Sequence, residues 1–171
     1  MNTKQCSKCK QEKLVSEFGT TNPNKDGYNS WCKQCVRDSS KKYSITTKGI
    51  YCSIKGNQRY FHRHSSDQRK PFEITYDEFK LWYEDTPKKC AYCYLSEEDL
   101  QVVNDTHNKK VSRLTVDCKR NELGYQLGNL VLACNRCNFI KNDFLNYDQM
   151  FYFSQTYIKP IWEERLGRKL S

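Results

Sequence analysis

Apolar side chains recur every three or four residues in some segments of the chain and every second residue in another. Phe79, Trp82 and Tyr83 fall on one face of a helix at this spacing. Thr75 is a predicted N-cap for that helix, because Glu78 lies three residues further on and completes a capping box. The pattern therefore predicts a helix that begins after Thr75 and turns its aromatic side chains towards a core.

A later region changes to the period of a strand. Leu114 and Val116 alternate with the polar Thr115, which is typical of a β-strand. The apolar run over 127–133 predicts a second strand after a turn, and residues 138–144 can start a helix. We therefore expect the order strand, strand, helix in this region.

Two further amphipathic helices are predicted over residues 39–66 and 146–168. Gly49 and Gly56 lower the helix propensity of the first. Pro160 interrupts the second, which is rich in aromatic side chains. We expect this C-terminal helix to pack against the rest of the protein or to form a dimer surface.

Eight of the ten cysteines form four Cys-x-x-Cys pairs, the clearest chemical signal in the chain. One such turn presents two thiolates to a Zn²⁺ ion, and two turns complete a tetrahedral shell. Disulfides are the alternative, but the N-terminus has no apolar segment typical of a secretion signal, so we expect zinc. The two predicted structural zinc sites are Cys6, Cys9, Cys32 and Cys35, and Cys90, Cys93, Cys134 and Cys137.

These elements predict an α+β fold of small zinc-stapled domains. The first 45 residues are too few to build an apolar core without a metal. The predicted segments are a zinc ribbon or knuckle over 1–45, a basic helical DNA-binding linker over 46–85, a strand–strand–helix core with the second zinc site over 86–145, and a C-terminal helix over 146–171.

The chain of 171 residues carries a net charge of +9, and most of this excess is concentrated in one segment. Residues 36–70 hold nine cationic and two acidic side chains, a net charge of +7. This favours an anionic partner, of which nucleic acid is the commonest. No apolar run reaches membrane-spanning length, so we expect no segment that spans a membrane. The predicted phosphate contacts are Lys48, Lys55, Arg59, Arg63 and Arg69.

One group of residues resembles the HNH nuclease family, whose core is the ββα-metal fold. The motif residues are Asp117-Cys118, Asn129 and the run Cys134-Asn135-Arg136-Cys137-Asn138, followed by Lys141. The resemblance covers residues 86–145. Residues 1–85 are similar to the N-terminal extensions of phage-type HNH proteins and of PacI-like restriction endonucleases, which also carry two Cys₄ zinc sites.

The resemblance implies a catalytic site with one Mg²⁺ or Mn²⁺ ion per chain. Asp117 at the end of the first strand and Asn138 on the helix hold the positions of the metal ligands, and oxygen ligands suit such a hard cation. Asn129 matches the residue that orients the general base. Arg120 and Lys141 are expected to contact the scissile phosphate or neighbouring phosphates.

The general base is the point at which this sequence departs from the family. Cys118 lies where a histidine is usual, and a thiol is mostly protonated at neutral pH unless cations lower its pKa. PacI-like enzymes have an arginine at this position and use a tyrosine near the zinc turn, for which Tyr92 is the match. Tyr92 can equally be a ring packed under the zinc turn. His62 and His64 in the basic segment are further candidates for the general base. Otherwise they contact phosphate or are ordinary surface histidines.

The prediction is thus an HNH endonuclease that hydrolyses phosphodiester bonds of double-stranded DNA. The resemblance further implies a protein of the bacterial cytoplasm, or a phage-encoded one that acts in the cytoplasm of its host. A type II restriction enzyme requires a homodimer to cut both strands of a palindrome. The first alternative is a phage homing-type nuclease that nicks a long asymmetric site. The second is a zinc-stapled DNA-binding protein whose catalytic site has decayed, and an RNA-directed or structure-specific nuclease is a third.

Overall fold

The computed structural model describes residues 2–21, 24–64, 71–104 and 113–171, except for the side chains of residues 58–64 and 104. The chain divides into two compact units, Met1–Ile54 and Lys55–Ser171. Both contain helices and strands, which confirms the α+β class. Within the described ranges, no helix has the length and apolar character needed to cross a membrane.

The first unit consists of two short hairpins followed by a helix. Strands β1 (Thr3–Gln5) and β2 (Glu12–Leu14) are antiparallel, as are β3 (Phe18–Thr20) and β4 (Tyr28–Cys32). Helix α1 (Lys33–Ser44) begins directly after β4. The small core consists of Cys6, Phe18 and Cys32, with Tyr28 and Trp31 packed beside it. Ile50 and Tyr51 of this unit are also buried, but a core of this size still leads us to expect a metal staple.

The single helix expected over 39–66 is instead two helices. Helix α1 ends at Ser44, and α2 (Thr47–His64) begins after Thr46, whose hydroxyl accepts a hydrogen bond of 3.0 Å from the Gly49 amide. A Cβ on Gly49 would lie 2.0 Å from the carbonyl oxygen of Tyr43. Gly49 is therefore a requirement of the tight junction between the two helices rather than a weakness within one helix.

Helix α3 (Tyr76–Asp85) of the second unit begins where the capping box predicted. The Thr75 amide donates to Glu78 Oε2 at 2.9 Å, and the Glu78 amide donates to the Thr75 hydroxyl at 3.3 Å. Phe79 and Tyr83 are buried, with ring centroids 5.6 Å apart. Helix α4 (Glu97–Asn104) was not predicted, although Ser96 and Asp99 form the same kind of capping pair at its start.

The order strand, strand, helix is confirmed. Strands β5 (Thr115–Cys118) and β6 (Leu130–Ala133) are antiparallel, and helix α5 (Asn135–Lys141) follows. The second strand starts three residues later than expected. The helix starts three residues earlier than expected, because Cys134 serves as its N-cap. Cys137 therefore lies in the first turn of the helix.

The loop between the two strands approaches the backbone of a distant segment. It contains a short 3₁₀ turn over Asn121–Leu123 and then Gly124, which has φ 60°. A Cβ on Gly124 would lie 2.1 Å from the Pro71 carbonyl oxygen. Only glycine fits both the conformation and this approach.

The C-terminal segment is one helical path with a wide turn in it. Helix α6 (Tyr147–Phe153) leads into a π-helical turn over Ser154–Ile158 and then into α7 (Lys159–Leu166). Pro160 lies in the first turn of α7, so it widens the path rather than ending it. A residue without an N–H removes one backbone hydrogen bond, and a π-turn is one way to accommodate that loss.

Candidate active site

Each cysteine quartet has the geometry of a tetrahedral zinc site. In both, the four sulfur atoms lie within 4.8 Å of one another. The Cys6 and Cys35 sulfurs are 3.9 Å apart, and the Cys93 and Cys134 sulfurs are 3.7 Å apart. A tetrahedron with Zn–S bonds of about 2.3 Å has edges of about 3.8 Å. Both quartets therefore suit Zn²⁺ as predicted.

The two quartets share one construction. The first pair of each is a tight turn closed by an i+4 amide: Lys10 N donates to Cys6 O at 2.8 Å, and Tyr94 N donates to Cys90 O at 2.9 Å. Lys10 and Tyr94 also share a positive φ, of 61° and 65°. The second pair of each starts a helix, with Cys32 as the N-cap of α1 and Cys134 as the N-cap of α5. In both units a hairpin strand leads directly into that N-cap.

One thiol of each quartet is predisposed to ionise. Burial acts to raise the pKa of Cys6, but N–H donation from Cys32, Cys9 and Lys8 outweighs it and lowers this pKa to about 6. Burial also opposes ionisation of Cys90, whereas donation from Cys134, Cys137 and Cys93 lowers its pKa. Burial, followed by its thiol neighbours, raises the pKa of Cys35 to about 12. Full ionisation of four adjacent thiols thus requires a cation between them, which is the role of zinc.

Asp117 lies on β5, is 3% exposed, and is surrounded by donors. The Tyr92 hydroxyl donates to Asp117 Oδ2 at 2.7 Å, and the Cys118 amide donates to Oδ1 at 2.8 Å. The Lys141 ammonium lies 3.5 Å from each carboxylate oxygen. Tyr92 belongs to the first turn of the second quartet, so the zinc turn and the acid are directly connected.

Helix α5 and strand β5 present matching faces. Thr115 and Asp117 are two residues apart on the strand, and Asn138 and Lys141 are three residues apart on the helix, so each pair lies on one face. Asn138 Nδ2 donates to the Thr115 hydroxyl at 3.1 Å, while Lys141 reaches Asp117. No donor among the described residues reaches Asn138 Oδ1. Asn138 thus has a carbonyl oxygen available on the helix face that covers Asp117, and carboxylate and amide oxygens are ligands that Mg²⁺ and Mn²⁺ accept.

Lys141 is completely buried, which does not fit the expected surface contact with phosphate. Its ammonium also lies 3.2 Å from Asn121 Oδ1, and Asn121 Nδ2 donates to the Asn142 carbonyl at 3.1 Å. Lys141 is therefore an internal ion-pair partner of Asp117. No local pattern indicates this burial, because lysine at a helix end is ordinarily exposed.

Asn129 is 4% exposed and holds the loop between the two strands. Its Oδ1 accepts from the Arg120 amide at 3.0 Å, and its Nδ2 donates to the carbonyls of Arg120 and Gly124 at 2.8 and 2.7 Å. All of these contacts are to backbone atoms. Asn129 therefore fixes the path of the chain after Cys118 rather than contacting the Cys118 side chain.

Cys118 is not placed as a base would require, whereas the position of Arg120 is compatible with the expected phosphate contact. Cys118 is completely buried and pairs in register with Leu130 on β6. The Arg120 side chain is 67% exposed, and its Nε lies 3.3 Å from Glu122 Oε1. Arg120 is thus accessible to an anionic ligand, whereas the Cys118 thiol is part of the core.

The Tyr92 ring is also completely buried. Burial raises the pKa of Tyr92 well above its ordinary value, and the negative charge and hydrogen bond of Asp117 raise it further. Tyr92 therefore acts as a hydrogen-bond donor to Asp117. Its ring packs on Tyr147, with centroids 5.4 Å apart.

Two residues of the π-turn contact both turns of the second quartet, and sequence reasoning missed them. Ser154, which is completely buried, lies with its hydroxyl 3.4 Å from Cys137 Sγ. Gln155 Nε2 donates to the Tyr92 carbonyl at 2.5 Å. Thr115 and Asn121 were missed for the same reason. Each acts on a residue distant in sequence, and no local pattern indicates such a partner.

The basic segment is described only in part. The Lys48 ammonium lies 5.8 Å from the centroid of the Tyr51 ring, and the Lys55 ammonium lies 5.9 Å from that of Phe72. The structure describes the backbone but not the side chains of Arg59, His62, Arg63 and His64, which belong to α2. Arg69 lies outside the described residues.

Comparison with known proteins identifies a sequence relative and a similar solved structure. No protein-family model matches the sequence. The chain is 24% identical to YoqL of Bacillus subtilis (strain 168), in an alignment that is 183 residues long with its gaps. YoqL is named as an HNH endonuclease derived from the SPbeta prophage. This match covers 82% of the chain and 76% of the relative.

The solved structure is that of the rare-cutting HNH restriction endonuclease PacI. The TM-score is 0.54 at 22% identity, and the match covers 94% of this chain and 96% of the other. At this identity the likeness shows the fold, and the sequence relative carries the same family name. The strand–strand–helix core between two zinc-type turns agrees with both comparisons, and the chain is thus similar in sequence to one HNH endonuclease and in fold to another.

Proposed function

We propose that this protein is a metal-dependent endonuclease that hydrolyses phosphodiester bonds of double-stranded DNA. The observation that carries the proposal is the facing arrangement of β5 and α5. It brings the Asp117 carboxylate and the Asn138 side chain onto one side of the core, beside a zinc-type turn that holds the acid through Tyr92. Both named relatives are HNH endonucleases.

Asp117 and Asn138 are the proposed ligands of one Mg²⁺ or Mn²⁺ ion. When bound, such an ion neutralises charge on the scissile phosphate and stabilises the departing oxygen. The protein contributes the orientation of the acid, since the Tyr92 hydroxyl and the Cys118 amide direct its two oxygens. Asn129 keeps the following loop in place, and the exposed Arg120 can contact the phosphate.

The proposed role in binding belongs to the basic segment. Lys48, Lys55, Arg59, Arg63 and Arg69 supply phosphate contacts, and each contact that releases a counterion makes binding more sensitive to salt. Exchanging two of these residues for glutamine should therefore flatten the dependence of DNA affinity on salt concentration.

The experiment that tests the activity is cleavage of supercoiled plasmid with Mg²⁺ or Mn²⁺. We expect nicked or linear product from the parent protein and none from the Asp117→Ala and Asn138→Ala variants. Asp143→Ala is the matched control, because Asp143 is an exposed acid just beyond α5. Tight DNA binding without cleavage in either metal would overturn the proposal and identify a decayed, zinc-stapled DNA-binding protein.

The proposed biological role is that of a type II restriction enzyme acting as a homodimer in the bacterial cytoplasm. The likeness to PacI over nearly the whole chain supports this role, whereas the prophage origin of the sequence relative supports a phage homing-type nuclease. Mapping the cut sites separates the two. A double-strand break in a short palindrome, together with a dimer in sedimentation analysis, supports restriction, and a single nick in a long asymmetric site made by a monomer contradicts it.

A further inference from the structure

Lys141 is a charged side chain with no exposed surface, and among the described residues its ammonium has two polar partners, Asp117 and Asn121. A buried ammonium is strongly unfavourable unless an opposite charge and hydrogen bonds compensate it. Asp117, 3.5 Å away and 3% exposed, is the acid that forms this ion pair. Each charge thus compensates the other, so that both the ammonium and the carboxylate can be buried in the core.

The same carboxylate is the proposed metal ligand. Asp117 already accepts hydrogen bonds from the Tyr92 hydroxyl and the Cys118 amide, in addition to its contact with Lys141. A divalent cation that binds Asp117 must share this negative charge with the ammonium. Two positive groups at one carboxylate repel each other, and the low dielectric of the interior strengthens that repulsion.

We propose that Lys141 is an internal counter-ion that competes with the divalent ion for Asp117, so that the metal binds weakly until DNA is present. This inference rests on the proposed function, since it assumes the metal site at Asp117 and Asn138. Lys141 is accordingly a positioning residue that regulates occupancy of the site, because it acts through Asp117 and is too deeply buried to contact the substrate itself.

DNA supplies the missing charge. When the ion occupies Asp117, the site holds two positive groups and one carboxylate, and the phosphate of bound DNA adds negative charge that offsets this excess without touching the buried ammonium. Binding of metal and of DNA should therefore strengthen each other, and the coupling must be equal in both directions. This arrangement restricts assembly of the complete site to the DNA-bound protein.

The test is titration of Mn²⁺ into zinc-loaded, DNA-free protein, followed by electron paramagnetic resonance. Lys141→Met and Lys141→Gln remove the competing charge, and we expect both to bind Mn²⁺ more tightly than the parent by about tenfold, within the usual range for linked sites. Lys141→Arg keeps the charge and should bind like the parent. Equal or weaker Mn²⁺ binding by the two neutral variants would overturn the inference.

Two further arms keep the outcome decisive. Asp117→Asn should lose Mn²⁺ binding, and if it does not, the proposed metal site itself is wrong, which is a failure distinct from that of Lys141. If the neutral variants do not fold, the parent protein labelled with ¹⁵N at lysine Nζ gives the answer. Mg²⁺ should shift the Lys141 ammonium resonance, assigned by its loss in Lys141→Arg, and an unchanged resonance contradicts competition.

Discussion

The Tyr92 hydroxyl donates a 2.7 Å hydrogen bond to Asp117 Oδ2, and both side chains are buried. Tyr92 lies between Cys90 and Cys93, so the position of the acid depends on a turn that zinc would close. This contact links the structural metal to the proposed catalytic one. It also assigns the tyrosine to orientation of the acid, because a buried donor has no access to solvent or substrate.

Replacing Tyr92 with phenylalanine should remove this orientation without removing the acid. A hydrogen bond to a charged group contributes about 2 kcal/mol, so the free energy of unfolding in urea should fall by about that amount. Cleavage should slow by about tenfold, as is common for partners of metal ligands, but not disappear.

The control for Tyr92→Phe is Tyr147→Phe, which changes a ring packed on Tyr92 without touching Asp117. It should retain parental cleavage. A Tyr92→Phe protein with no cleavage at all would contradict an orienting role and favour a direct role of the hydroxyl in the reaction.

The π-turn of the C-terminal helix should determine how firmly the second zinc is held. Ser154 contacts Cys137 and Gln155 holds the Tyr92 carbonyl, so Ser154→Ala and Gln155→Ala each loosen one turn of the quartet. Loss of such a partner costs about 10- to 100-fold in metal affinity. Zinc release is followed by transfer of the metal to a colorimetric chelator. In each variant, one of the two zinc equivalents, that of the second quartet, should be released faster than in the parent protein. Thr156→Ala, in the same turn but exposed, should leave the release curve unchanged.

Asn129 should be intolerant of an acid at its position. Asn129→Asp keeps an acceptor for the Arg120 amide but places an oxygen against the Arg120 and Gly124 carbonyls, where an N–H is now found. Asn129→Ala leaves the same carbonyls unpaired at a cost of about 1–3 kcal/mol. In thermal denaturation, the parent should therefore have the highest melting temperature, Asn129→Ala a lower one, and Asn129→Asp the lowest. Equal melting temperatures for the parent and Asn129→Asp would contradict the assignment.

The ion pair of Asp99 with Arg168 should give a stability difference that depends on pH. Burial acts to raise the pKa of Asp99, but hydrogen bonds from Ser96 and the contact with Arg168 outweigh it, so the pKa is lowered. A carboxyl with a lowered pKa contributes stability above its unfolded-state value of about 3.9, and this contribution is lost as the pH falls through the folded-state value.

The measurement for Asp99 is urea unfolding of the parent and of Asp99→Asn at several pH values. The parent should be the more stable at pH 7, and the gap should narrow steadily below about pH 4. Because acid also releases zinc from thiolates, the two proteins are compared with each other at each pH. A gap that stays constant down to pH 3 would show that the carboxylate charge contributes nothing.

Local patterns predicted the elements whose signals lie within a few residues. The capping box at Thr75, the alternation at Leu114 and Val116, and the four Cys-x-x-Cys turns each depend on short-range geometry, and each has its counterpart in the structure. The break between α1 and α2 was missed, because the apolar spacing continues through it and only the Thr46 cap with Gly49 marks it.

The burial and the partners of the residues inside the candidate site could not be predicted from local sequence patterns. Sequence places Lys141 at a helix end, where it is ordinarily solvated, yet tertiary packing pairs it with an acid 24 residues away. Cys118 occupies the position of a familiar catalytic group but pairs in a buried strand. Composition and spacing identified the participants, whereas burial and long-range partners determined their roles.

The shared construction of the two cysteine quartets has a consequence for how such a site can arise. Counted from the cysteine that starts each helix, Asn138 and Lys141 correspond to Val36 and Ser39 in the first unit. The first unit thus has the same framework with a valine in place of the asparagine and a serine in place of the lysine. The proposed catalytic centre therefore differs from the first framework only by side chains on one helix face and one strand. The chain thus contains the same backbone framework twice, once with the residues of the proposed metal site and once without them.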